Sequence, residues 1–228
     1  MVEHITIAGG LRIAVRRSSR ARRLTLRVPR DGAEMVLTLP KHVPLGEGLA
    51  FAEAKRNWLV QAAARRPAPM RAEAGAALPV EGRPRQIVAA SVRAATLQQD
   101  ALLIPERRPA GPVLAAFLKH VAHQRLRVAC DRHATALERP FRVIDLRDTR
   151  SRWGSCTADG RLMFSWRLAM APPEVLDYVA AHEVAHLAHM DHSGRFWSVV
   201  ERLCPGHASQ RVWLRRHGGD LMVWKFRD

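Results

Sequence analysis

Residues 182–186 read His-Glu-Val-Ala-His. Two histidines four apart bring their rings to one point only on an α-helix, where side chains at i and i+4 stand one above the other. On a strand the same pair would stand ~13 Å apart. The neighbouring sequence agrees with a helix. Leu176, Val179, Ala180, Val184 and Leu187 repeat at helical spacing. Pro172-Pro173 opens the segment, and Glu174 and Asp177 suit the positive end of its dipole.

The spacing carries chemistry as well as shape. His182 and His186 can each present an imidazole nitrogen to one ion, and Glu183 follows the first ligand closely enough to serve as a base. An open catalytic site needs a third ligand. His189, His192 and His207 are the candidates. His189 continues the face of His182 if the helix runs on, which leaves it beside the ion or at the surface. His192 is the preferred ligand. Asp191, Ser193 and Gly194 can break the helix around it, with Ser193 capping the next one, and a residue on such a corner folds back over an ion. His207 has no assigned role.

The rest of the chain reads as α+β. Residues 1–40 alternate apolar and polar, at Leu11, Ile13 and Val15, at Leu24, Leu26 and Val28, and at Met35, Leu37 and Leu39, with turns at Gly9-Gly10 and Pro29–Gly32. This predicts an antiparallel β meander. A helix is expected over 46–65, with Phe51, Ala54, Trp58, Leu59 and Ala62 on one face, closed by Pro67 and Pro69. Residues 66–85 hold four prolines and read as linker. Weaker strands fall at 87–90 and 102–104. A helix follows from Pro112 to about Leu137, then a short strand at 141–144. Residues 150–168 read as a hairpin about Ala158-Asp159-Gly160. One more helix starts near Ser193, and another spans 207–217, ending at Gly218-Gly219. The expected division is a β-rich lobe with one helix at 1–105 and a lobe carrying the His-Glu-Val-Ala-His helix at 106–228.

Composition narrows the partners. The net charge is +16, with 33 of the 37 basic residues being Arg. That favours anionic partners, nucleotide or nucleic acid among them. Arg16, Arg17, Arg20, Arg22 and Arg23 are the densest cluster, but no zinc-finger, helix-turn-helix or base-stacking pattern accompanies them. Cys130, Cys156 and Cys204 form no disulfide framework, so a reducing, cytoplasmic setting is expected. Neither a leader nor a membrane-spanning run is visible. The Arg150–Cys156 run, RSRWGSC, has two readings. It is a loop whose Arg150, Arg152, Trp153 or Ser155 touches substrate or transition state, or a turn anchored by Trp153. Tyr178, one turn before His182, is either a transition-state contact or packing. Cys156 is expected to be a small buried hydrophobe.

HEVAHLAHMDHSGRFW, with RSRWGSC upstream, resembles the YgjP-like family of zinc metallopeptidases, related to gluzincin-like and SprT-like proteins. RRSSRARRLTLRV, FSWRLAMAPPEVLDYVAAHEVAHL and HSGRFW carry the same resemblance over most of the chain. In that pattern the His before Ser-x-x-Phe-Trp is the third ligand, which is His192 here. The ligand spacing also matches metzincins, but His189 stands where they need Gly, and no Met-turn is evident. The resemblance implies a zincin-like mixed sheet with the motif on an active-site helix. Residues 162–168 would then be the sheet edge along which an extended substrate pairs. It implies Zn²⁺ bound by His182, His186 and His192, with Glu183 as base for a zinc-activated water and a peptide or protein as substrate. Two alternatives keep the site and change the partner: a metal-dependent nucleotide pyrophosphatase, and a DNA-associated SprT-like protease.

Overall fold

The computed structural model describes residues 3–29, 34–64 and 68–227. The chain divides into two compact units, Met1–Pro69 and Met70–Asp228. The boundary expected at 105/106 therefore falls inside the second unit.

The first unit carries β1 (Glu3–Ile7), β2 (Leu11–Ser18), β3 (Thr25–Arg27), β4 (Met35–Pro40), α1 (Leu45–Ala54) and α2 (Arg56–Ala64). Gly9 and Gly10 turn β1 into β2 with positive φ, which glycine adopts without strain. The sheet order is β1-β2-β4-β3, and β2 pairs with β4 in parallel. The antiparallel meander is thus corrected to a mixed sheet. The reason lies in polarity. Met35, Leu37 and Leu39 are all buried, so β4 takes an inner position, and the Arg-bearing β3 takes the edge, where charge is tolerated. The turn expected at residues 30–32 and the stop at Pro67 lie outside the described residues. The expected single helix is broken at Lys55. The break buries Leu59 and leaves Trp58 exposed, against expectation. A Cβ on Gly48 would stand 2.7 Å from Leu39 Cδ2, so glycine there lets α1 approach the sheet.

The second unit begins with β5 (Met70–Arg71), β6 (Ala77–Val80), β7 (Arg83–Ala90), β8 (Thr96–Leu97) and β9 (Ala101–Pro105). Half of the described residues in the expected linker at 66–85 are strand. Pro79 and Pro84 are register partners in the β6–β7 hairpin, and β6 lies at the edge of the sheet β6-β7-β9-β8, where proline is permitted. Next come α3 (Ala110–Leu137), β10 (Val143–Arg147), β11 (Gly154–Cys156) and β12 (Arg161–Ser165). A 3-10 turn over Trp166–Met170 leads to α4 (Pro173–Ala185), α5 (Gly194–Leu203), α6 (Ala208–Met222) and β13 (Trp224–Lys225).

The 150–168 hairpin forms as expected about Gly160, which has φ +78°. Its second strand is not an edge, however. The order is β10-β12-β11, with β10 parallel and β11 antiparallel to the central β12. Leu162 and Phe164 are fully buried, which explains the inner place of β12. Leu114, Leu118 and Leu126 of α3 join Val175 and Val179 of α4 and Phe196 of α5 in one core. The last helix passes straight through Gly218-Gly219 and ends only at Met222. A Cβ on Gly218 would come within 2.9 Å of the Trp153 ring, so this glycine makes room for an indole and does not end the helix. Buried Arg167 ties the C-terminal segment down: it bonds Asp148 and donates to the carbonyls of Leu221 and Trp224 at 2.8 and 3.1 Å. Among the described residues no helix is long and apolar enough to cross a membrane.

Candidate metal centre

Helix α4 starts with Pro173 in its first turn, where a missing N–H costs nothing, and Glu174 faces the dipole. It ends at Ala185, with His186 as the still-helical cap residue. Both histidines of the motif therefore stay on one face. The chain then turns. Asp191 Oδ1 accepts the Ser193 amide at 3.1 Å and sets the corner before α5. Ser193 occupies the N-cap position as expected, but its hydroxyl makes no capping bond.

This corner delivers His192. Its Nε2 lies 3.2 Å from His182 Nε2. One ligating nitrogen from each of His182, His186 and His192 falls within 4.8 Å of the others. His186 Nδ1 lies 2.9 Å from the His189 carbonyl, which accepts its proton and leaves Nε2 free for an ion. His189 thus acts at the site through its backbone. Burial, then the neighbouring His186 and His192, push the His182 pKa down to about 3. Burial also lowers that of His186, against the pull of the His189 carbonyl. Both rings are neutral at pH 7, the state that binds a metal.

Phe196 forms the floor of the cage. Its ring centre lies 4.9, 4.5 and 4.8 Å from those of His182, His186 and His192. Trp197 flanks it, 5.7 Å from His182 and 6.0 Å from His192. Both belong to the HSGRFW run, so one short segment supplies a candidate ligand and its apolar support.

Glu183 is 5% exposed. Burial raises its pKa to about 8, and Arg152 pulls it back. Its carboxylate rests against the backbone of Gly154. A Cβ there would stand 2.5 Å from Glu183 Oε1 and 2.7 Å from Cδ. That contact accounts for the glycine of RSRWGSC: β11 presents a bare backbone so that the carboxylate fits. The loop before it is pinned by Thr149 Oγ1, which donates to the Arg152 carbonyl at 2.8 Å. A second bond, from Ser165 N–H to the Trp153 carbonyl, also measures 2.8 Å.

A family model described as the YgjP-like metallopeptidase domain matches residues 22–217. The chain belongs to the YgjP-like family. No curated protein matches the sequence. Among solved structures, the crystal structure of the metallopeptidase zymogen of Pyrococcus abyssi abylysin is similar at 23% identity. The match covers 42% of this chain and 92% of that one, with a TM-score of 0.35.

The remaining expected site residues of this YgjP-like chain divide by position. Arg152 is exposed and bears electrostatically on Glu183. Arg150 is exposed earlier in the same loop, and Ser155 lies half-buried on β11. Trp153 packs on Gly218, so the structure gives it an anchoring place. Tyr178 is buried in the core, its ring stacked on His207 at 5.7 Å. Cys156 is half-buried, and burial followed by Glu183 pushes its thiol pKa up to about 11, so it stays protonated. Sequence alone does not single out Gly154 as a contact of Glu183, or Phe196 as a contact of the three histidines. A glycine two residues before an isolated Cys, and an aromatic pair after the candidate ligand His192, were the available signals.

Proposed function

We propose that this YgjP-like protein is a zinc-dependent metallopeptidase, with His182, His186 and His192 as ligands and Glu183 as general base. The observation that carries the reading is convergence: three imidazoles meet within 4.8 Å, beside one buried carboxylate. The donor set suits the ion. Neutral imidazoles favour borderline metals such as zinc over magnesium or calcium, which prefer oxygen. When bound, zinc supplies Lewis acidity, polarising a carbonyl and acidifying water.

The chain's own residues do the rest. Glu183 takes a proton from the attacking water and returns it to the leaving amine nitrogen. Gly154 leaves room for that carboxylate, and the Phe196 floor fixes the ligand rings. An extended substrate pairs with β11 in this reading, since β11 is an edge strand that packs against α4. The three free thiols suit a reducing, cytoplasmic compartment.

The test offers zinc-loaded wild type and Glu183→Gln a mixture of quenched peptides and, separately, nucleoside triphosphates. Wild type cleaves peptides and leaves the triphosphates intact; the variant keeps its zinc and loses turnover. Pyrophosphate release without peptide cleavage overturns the substrate class. Loss of zinc together with turnover in Glu183→Gln overturns the division of roles.

A further inference from the structure

We propose that Arg211 forms a subsite for an acidic residue of the substrate, next to the metal centre. This rests on the peptidase reading above. Arg211 lies in the first turns of α6, its amide bonded to the His207 carbonyl at 3.0 Å. Its guanidinium carbon stands 4.7 Å from the centre of the Trp197 ring. The same ring lies 5.7 Å from His182 and 6.0 Å from His192. The cation is therefore one indole away from two of the three ligands.

The indole is itself held. His207 stacks on Trp197 at 5.5 Å, and Tyr178 stacks on His207 at 5.7 Å. Trp197 thus touches both His207, which stacks on buried Tyr178, and exposed Arg211. A guanidinium over an aromatic face is fixed in position while its N–H groups remain available.

The nearby acids are engaged elsewhere. Glu201 bonds the Gly206 amide at 3.1 Å and faces His207 Nε2 at 3.3 Å. Asp191 accepts the Ser193 amide. No carboxylate pairs with Arg211 among the described residues. A rigid cation without a counter-ion, at the rim of a site for extended chains, recognises a carboxylate. An extended peptide advances ~3.3 Å per residue, so the recognised side chain lies two or three residues from the cleaved bond. Arg presents a planar fork that matches a carboxylate in two parallel bonds.

Three quenched peptides, identical except for Glu, Gln or Lys at the flanking positions, are compared on zinc-loaded wild type, Arg211→Lys, Arg211→Ala and Arg211→Glu. Arg211 is exposed, so these variants fold. Wild type favours the Glu peptide over the Lys peptide by about tenfold in kcat/KM, the scale of one well-placed ion pair. Arg211→Lys keeps part of the preference, Arg211→Ala abolishes it, and Arg211→Glu reverses it. A purely structural role for Arg211 would lower all three peptides alike. Binding of labelled Glu and Lys peptides to Glu183→Gln protein, followed by anisotropy, reports the same order without turnover. If peptides are cleaved with equal charge preference in wild type and Arg211→Glu, the subsite is overturned and the peptidase reading stands. If no peptide is cleaved or bound, both fall.

Discussion

At the scale of single residues, the candidate site depends as much on an absent side chain as on its three histidines. Glu183 keeps its carboxylate where it is because Gly154 has no Cβ. Gly154→Ala is therefore expected to retain its metal and lose turnover about 100-fold, since displacing a reacting group by ~1 Å costs that much. Metal content and kcat measured on one preparation check this. Full activity in Gly154→Ala would show that the carboxylate does not need that wall. The His-Glu-Val-Ala-His spacing made His182, Glu183 and His186 legible from sequence, because helix geometry alone fixes their common face. His192 was legible because Asp191, Ser193 and Gly194 signal a corner. Gly154 and Arg211 were not, because their roles exist only across elements distant in the chain. For Tyr178 and Trp153 sequence leaves contact and packing both open; Tyr178 stacks on His207 in the core, and Trp153 lies against Gly218.

At the scale of elements, α4, which carries the His-Glu-Val-Ala-His motif, is positioned by α3. His133 is buried on α3 and faces Asp177 of α4 at 3.0 Å, and Arg132 bonds the same carboxylate. Burial alone would raise the Asp177 pKa, but His133 and then Arg132 outweigh it and hold it below the usual carboxylate range. A carboxyl depressed in the folded state gives stability that is complete above its unfolded value, near 3.9, and is lost as pH falls through the lower folded value. Asp177→Asn should thus lower the melting temperature at pH 7 and flatten the decline below about pH 4. Thermal melts across pH 2–7 measure both; an unchanged acid limb would remove Asp177 from the account. Helix periodicity located α3, α4 and α5 well. Strand order was less legible. Alternation tells which face is buried, while position within a sheet depends on relative apolarity, as with β4 and β12. A Gly-Gly pair reads as a stop, but Trp153 turns Gly218 into a contact inside α6.

At the scale of the molecule, the two compact units divide at Pro69/Met70, although the family match spans both. Leu78, Ile87 and Leu102 share one core with Leu114 and Val179. A chain of residues 70–228 is therefore expected to melt cooperatively. One of residues 106–228 loses those core partners and is expected not to. Calorimetry of the two pieces checks the boundary. Equal cooperativity in both would restore the division at 105/106. The linker expected at 66–85 contains the division at Pro69/Met70, while its later residues pair as strands, because proline marks both linkers and edge strands.

In the proposed function, three histidines from two segments make one metal centre. Elemental mass spectrometry on untagged wild type and His192→Ala, after zinc loading and desalting, tests it directly. About one zinc per chain is expected in wild type, as in open three-ligand sites, and a strong loss in His192→Ala. Equal zinc in both proteins, or none in either, would contradict it.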